Sequence, residues 1–351
     1  MAERLTFWLE ELSRKDAPQV GQKCALLGEM LQVGLPVPPG FVLSIPALQK
    51  FLSETGAGEK IADYLRQLGE GLKDLQLAEE ASRHIGELFM AEEIPGQIRQ
   101  EVEVSYRELS KRRGVGELPL SIRSSGPVSR PGLFDTYLNV RGLPELMRRI
   151  KSCWASAFSP RAIATRAQEG RPDQVELIAV GVQAMIQARS AGVLFTADPV
   201  TGDPSVIVIE ASWGLGEGIA QARTNPDRYV LDKQTLKIKQ RNIAPKTCEV
   251  VASEQGTLVR EVPSERQTIP CLSEEELVEL AELARSVEEH FGGVPQDIEW
   301  ASDASLPSPG NIFLIQTRPA VLRPAKDRIS KPADKDDAEH IVDLLIEHFY
   351  R

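Results

Sequence analysis

Residues 297–301, DIEWA, and 311–318, NIFLIQTR, decide how this chain is read. Both are short apolar runs of the Ile, Leu, Phe and Trp composition that favours β-strands. A polar loop, SDASLPSPG, joins them. Within the apolar runs fall the polar side chains of Glu299 in the first and Gln316 in the second. Buried polar groups are costly unless they find partners. If the two strands are neighbours, a carboxylate and an amide oxygen face one ligand, and such hard donors suit magnesium held beside phosphate oxygens. The other reading puts both residues on the water-facing side of an edge strand, because strands alternate faces.

Outward from this pair, the chain first shows more sheet. Leu177–Ile186 (LIAVGVQAMI), Gly192–Thr196 (GVLFT) and Val206–Glu210 (VIVIE) are apolar, rich in β-branched residues and punctuated by turns such as ADPVTGDP, which predicts a hairpin-rich sheet. Residues 227–263 alternate in the same way and are expected to extend that sheet. A helix is predicted from Ser273 to Phe291, because Ser273 with Glu276 three residues on forms a capping box and Gly292–Gly293 ends it.

Further upstream, LPLSIRSS (118–125) and DTYLNV (135–140) read as strands flanking the loop GPVSRPG. Helical spacing of apolar residues predicts helices over 20–32, 45–52, 61–71, 78–90, 98–112, 144–157 and 161–169. Past Pro319 a polar linker leads to an amphipathic stretch at 339–351. The expected class is α+β, with an N-terminal lobe over 1–188, a C-terminal lobe over 189–322, and a linker with a short C-terminal helical tail over 323–351.

Bulk properties narrow the function classes. At 351 residues the chain is long enough for two lobes. Its formal charge of -10 disfavours passive attraction to nucleic acid or an anionic membrane. No apolar run approaches the roughly 20 residues that span a bilayer, and the N-terminus lacks a signal-peptide core, so a cytoplasmic location is expected. Cys24, Cys153, Cys248 and Cys271 form no CxxC pair and read as structural thiols. His84, His290, His340 and His348 have no metal spacing.

The familiar phosphate loops are missing: there is no GxxxxGK[ST], and SWGLGEG does not follow GxGxxG. Two cations offer another way to hold phosphate. Lys23 in VGQKCALLGEM lies just inside a helix after a glycine, where free backbone amides and a mobile ammonium would meet an anion. Arg123 ends the LPLSI strand beside two serines, and its planar fork suits a polyphosphate. By position alone each also reads as a surface charge. Gln183, inside LIAVGVQAMI, would either lend its amide to an adenine edge or be a satisfied interior amide. WGLGEG is either a glycine hinge or a tight connection.

Taken in order, VGQKCALLGEM, GLPVPPGFVLS, LSIRSSG, DTYLNVRG, KSCWASAFSPRAIATR, GVLFTADPVTGD, IEASWGLGEG, NPDRYVLD, DIEWA and IQTRPAV resemble the nucleotide-binding module of the phosphoenolpyruvate synthase, pyruvate phosphate dikinase and rifampicin phosphotransferase family, over about residues 17–322. The resemblance implies an ATP-grasp fold, two lobes closing on ATP and magnesium. It implies that Lys23 and Arg123 contact phosphates and that Gly132 and Thr136 belong to the phosphate-covering loop. It further implies that Gln183 lies by the adenine, that Glu299 and Gln316 coordinate Mg2+, and that Arg318 holds the terminal phosphates. Two departures stand out: RSSGPVSRPGLFDTY is short like the loop of the dikinases, and Cys24 replaces the glycine that usually follows the lysine.

Complete family members continue into a swivelling domain whose histidine, in a TSHA-like motif, carries the phosphate, and none of the four histidines here has that context. The resemblance thus implies an ATP-binding subunit of a split dikinase-type phosphotransferase, passing a phosphoryl or pyrophosphoryl group to a histidine on a partner subunit. It looks like the ATP-site component of phenylphosphate synthase, with phenol as final acceptor. The alternatives are the ATP-site subunit of a split phosphoenolpyruvate synthase, a regulatory protein that binds nucleotide without transfer, and a direct small-molecule kinase.

Overall fold

The structure, a computed structural model, describes residues 4–127, 135–254 and 256–322. Gly132 and the tail at 323–351 lie outside the described residues. The described chain is α+β and divides into two compact units, residues 4–32 with 39–185 and residues 33–38 with 186–322.

The first unit is built on an antiparallel sheet of β1 (Thr6–Trp8), β2 (Gly40–Leu43), β3 (Leu120–Ser125), β4 (Thr136–Val140) and β5 (Ala179–Ala184), in the order β1-β2-β5-β3-β4. Its helices are α1 (Ala17–Gln32), α2 (Ile45–Glu54), α3 (Ala57–Leu68), α4 (Leu75–Ala91), α5 (Gly96–Arg112), α6 (Leu143–Ser156) and α7 (Pro160–Gln168). Every helix expected between 44 and 113 forms, with ends shifted by a few residues. On α4 the residues Ala78, Ala81, Ile85 and Phe89 recur at three- and four-residue spacing and are all buried, and Asp74 caps the helix by accepting from the amides of Gln76 and Leu77. Register places Phe41, Leu43, Ile122, Val180 and Val182 on one face of the sheet, where they join the helical core. Phe51, Phe89 and Trp154 meet at that core's centre, with ring centroids 5.0 and 5.5 Å apart.

The second unit carries a six-stranded antiparallel sheet. Its members are β6 (Ala188–Phe195), β7 (Val206–Trp213), β8 (Asp227–Asp232), β9 (Ile238–Asn242), β12 (Gln296–Asp303) and β13 (Ile312–Pro319), in the order β13-β12-β6-β7-β8-β9. Between these lie α8 (Glu217–Ala220), the hairpin of β10 (Cys248–Ser253) and β11 (Gly256–Glu261), α9 (Ser264–Gln267) and α10 (Glu274–His290). The expected capping box of α10 is present, with Ser273 and Glu276 bonding each other's backbone amides. Leu194, Ile209, Tyr229, Ile298 and Trp300 share the face that α10 covers; Glu276 of α10 bonds Ser302 on that same face.

One expectation is corrected here. Residues 227–263 extend the sheet only as far as Asn242, and 248–261 pair off as a separate two-stranded ribbon. Pro245 has no amide hydrogen to continue a ladder. The next residue, Lys246, is fully buried and bonds Asp227 Oδ1 at 2.5 Å. Asp227 also accepts from the amides of Ala244 and Cys271 and from the Tyr229 hydroxyl. The chain is thus drawn back onto the start of β8 before the hairpin begins.

Candidate functional site

In the first unit the sequence-predicted residues gather on the face opposite the helical core. Arg123 on β3 pairs directly with Thr136 on β4 and with Gly181 on β5, while Gln183 on β5 pairs with Ser121. Directly paired residues of an antiparallel sheet project to one side, so Arg123, Thr136 and Gln183 share a face. Arg123 and Gln183 are buried, and Thr136 is exposed at the strand start.

Helix α1 lies over that face. Gly21 interrupts it with φ of 73° and ψ of 160°, so a fresh helical run starts at Gln22 and Lys23 sits in its first turn. The glycine is required because a Cβ there would stand 2.1 Å from the Ser125 carbonyl oxygen. The helix start is sewn to the end of β3, with Gln22 N donating to Gly126 O at 2.8 Å and Cys24 N to Ser125 Oγ at 3.1 Å. Those two amides are therefore not free for an anion. The Cys24 thiol occupies the space left by Gly181, where a Cβ would come within 2.8 Å of Sγ. Burial pushes the Cys24 and Cys153 thiols above their ordinary range, as suits structural thiols.

In the second unit the decisive contact is the β12–β13 register. Asp297 pairs with Arg318 and Glu299 with Gln316; the register then shifts, and Trp300 pairs with Leu314. Ile315 is thereby the extra residue of a β-bulge. Continuous alternation along β13 would send Gln316 and Arg318 to the same side as Leu314 and Ile312, which are buried. The bulge turns them over, so that Glu299 and Gln316 stand side by side, both half-buried. Arg318 Nε donates to Asp297 Oδ2 at 2.9 Å, which fixes the guanidinium on the same face.

The same row continues across the sheet. Glu299 pairs with Val193, Val193 with Glu210, and Glu210 with Arg228. Glu210 is only 3% exposed, and its Oε2 has no hydrogen-bond partner among the described residues. Burial pushes its carboxyl up to about 7, against the pull of Arg228. Arg228 stands between two acids, with Nε 3.9 Å from Glu210 Oε1 and Nη2 3.5 Å from Asp198 Oδ2. Asp198 in turn closes the β6–β7 turn by accepting from the amides of Val200 and Thr201. Val193, Phe195, Val208 and Val230 surround the row with apolar side chains, backed by Ile219 of α8.

Glu299 with Gln316 fits one divalent cation: two hard oxygen donors on one sheet face, with an unsatisfied carboxylate oxygen farther along the row. Among the described residues no three His, Cys, Asp or Glu side chains group as a metal site by themselves, so such an ion would draw its other ligands from phosphate and water. Sequence reading missed Asp297, Glu210 and Arg228. Two of them carried a usable signal, since Asp297 lies two residues before Glu299 and Glu210 ends the apolar run VIVIE as Glu299 interrupts DIEWA.

The two groups of residues belong to a known module. The pyruvate phosphate dikinase AMP/ATP-binding domain family matches residues 17–339, and the chain belongs to that family. A probable phosphoenolpyruvate synthase of Staphylothermus marinus is 37% identical over 363 residues, taking in 94% of this chain and 43% of that protein. A probable phosphoenolpyruvate synthase of Methanocaldococcus jannaschii is 37% identical over 339 residues, or 95% of this chain and 28% of that protein. The chain thus spans less than half the length of these relatives. Among solved structures, the ATP-grasp ligase PsnB complexed with a minimal precursor aligns over 92% of this chain at 10% identity and a TM-score of 0.25, a likeness too slight to define a shared fold. No helix among the described residues is long and apolar enough to cross a membrane.

Proposed function

We propose that the chain binds ATP with magnesium and gives a phosphoryl or pyrophosphoryl group to a histidine carried on a further domain or a partner subunit, in the manner of an ATP-grasp module. The observation that carries this reading is the bulged β12–β13 register, which sets Glu299 beside Gln316 and Asp297 beside Arg318 on one face. Glu299 and Gln316 would hold the ion, which when bound neutralises phosphate charge and aligns the oxygens. Arg318, oriented by Asp297, supplies a fixed fork of donors for the terminal phosphates. In the first unit Lys23 and Arg123 would supply positive charge for phosphate, with the Thr136 hydroxyl beside Arg123 at the start of β4. Gln183 is assigned to the adenine edge. Groups of this kind orient phosphates and stabilise charge on the transferred phosphorus, which is the main work of phosphoryl transfer.

Among the described residues the histidines favour an acceptor outside this set. His84 on α4 lies against Tyr64, with ring centroids 4.4 Å apart and the planes tilted by 51°, and His290 lies against Phe291 at the end of α10, neither on the two polar sheet faces. Pyruvate is preferred as the final acceptor because the relatives are named phosphoenolpyruvate synthases. No observation on this chain supports phenol. Incubation with ATP labelled at the β or γ phosphorus, alone and with the histidine-bearing portion of a phosphoenolpyruvate synthase, tests the reading. Label on the partner's histidine is the expected result, and its position separates the two transferred groups. Tight Mg-ATP binding with neither label transferred to any partner would establish a nucleotide-binding protein without catalysis.

A further inference from the structure

The second unit holds a buried acid that the scheme above does not use. Glu210 lies in the row that runs from Gln316 through Glu299 and Val193 to Arg228, with all these side chains on one face. It is two strands from Glu299, about 10 Å between Cα atoms at the usual strand spacing. Val193 stands between the two residues on that face. Glu210 is within reach of a water molecule bound to an ion at Glu299, since Mg2+ keeps several of its waters.

Three observations point to a ligand for this acid. The residue is buried, yet Oε2 has no hydrogen-bond partner among the described residues, an arrangement that costs free energy until a donor arrives. The charges that face it are Arg228 from β8, at 3.9 Å from the other carboxyl oxygen, Asp198 from the β6–β7 turn, and Glu299 across Val193; β6 and α8 offer it the apolar Val193 and Ile219. Arg228 is not spent on Glu210, because it also reaches Asp198 at 3.5 Å. A loose counter-ion on one oxygen and an open second oxygen suit an acceptor for metal-bound water.

We propose that Glu210 is an outer-sphere positioning residue for the divalent cation at Glu299 and Gln316, accepting hydrogen bonds from the water molecules of the hydrated ion while Arg228 holds its other oxygen. The raised carboxyl agrees with a group whose charged form is stabilised only when a cation enters the row. Outer-shell partners of this kind set the orientation of the water and the ligands, and their loss typically costs 10- to 100-fold in metal affinity. The inference rests on the magnesium-nucleotide reading and names a residue which that reading does not include.

The test is calorimetric titration of the full chain with ATP, with Mg2+ and with chelator in its place, on the parent protein and on Glu210→Gln and Glu210→Asp. The expected result for Glu210→Gln is a loss of roughly tenfold or more in the Mg2+-dependent part of ATP binding, with metal-free ATP binding unchanged. Glu210→Asp, which keeps the charge, should recover part of the loss. Thermal unfolding of each variant identifies any that is not folded, and the folded member of the pair then decides. Equal effects with and without metal, or no effect in either, would overturn the proposal and leave Glu210 a structural residue. If the parent protein itself showed no gain in ATP affinity from Mg2+, the metal-nucleotide reading would fall, and the role of Glu210 with it.

Discussion

At the scale of single residues, two side-chain environments are sharp enough to predict from. Gly21 combines a positive φ with a backbone approach that leaves no room for a Cβ. Gly21→Ala should cost roughly 2 to 4 kcal/mol through strain and overpacking. It should also weaken ATP binding by displacing Lys23, both measurable by urea unfolding and calorimetry. Glu210 sets a pH dependence. Its carboxyl rises from 4.5 to about 7 on folding, so between those values the folded chain keeps a proton that the unfolded chain has lost. Stability therefore holds below about pH 4.5 and falls as pH climbs through 7, by about 3 kcal/mol in the limit of full burial. Glu210→Gln lacks this loss, so its urea midpoint relative to the parent should be higher at pH 8 than at pH 5.

At the scale of elements, the features that matter are joins. The knot between Lys246 and Asp227 ties the base of the hairpin to β8, and both side chains are fully buried. Lys246→Met would leave Asp227 charged in the interior and should destabilise the second unit by about 3 to 5 kcal/mol. Replacing both partners with apolar residues should recover most of that loss, as a double-mutant cycle in denaturant would report. The bulge at Ile315 is a join of another kind. Deleting Ile315 would restore plain alternation with Gln316 next to Leu314, which leaves Gln316 opposite Glu299 and Arg318 opposite Asp297. The expected outcome is that Mg2+-dependent ATP binding, measured by calorimetric titration, survives the deletion; its loss would show that the pairing alone does not make the site.

For the whole molecule, the two units each bring half of the proposed chemistry: Lys23, Arg123, Thr136 and Gln183 in the first, Glu299, Gln316 and Arg318 in the second. If one ligand engages both sets, saturating Mg-ATP should protect both units. At a hundredfold excess over Kd, binding adds about 2.7 kcal/mol to stability. Hydrogen exchange should then show slowed opening in β3 and β5 as well as in β12 and β13. Protection confined to one unit would mean that the nucleotide is held by that unit alone. Glu299→Ala should remove the protection of β12 and β13 that depends on Mg2+ while leaving metal-free protection near Lys23.

What this sequence determined by itself was local. Helices with apolar residues at three- and four-residue spacing, the Ser273 cap and the alternating strands were legible because those patterns reflect interactions within one element. The polar residues Glu299 and Gln316 were visible in the apolar strands DIEWA and LIQTR as well, and the structure pairs them. Tertiary structure decided the rest. No local pattern marks Ile315 as the extra residue of the bulge, because a bulge is a property of two strands and its position depends on how β12 and β13 slide against each other. Nor does any local pattern show that residues 248–261 leave the sheet, which depends on Lys246 reaching back to Asp227. Glu210 entered the row with Glu299 only through two successive strand pairings, and pairing across a sheet is settled by packing between segments far apart in the chain.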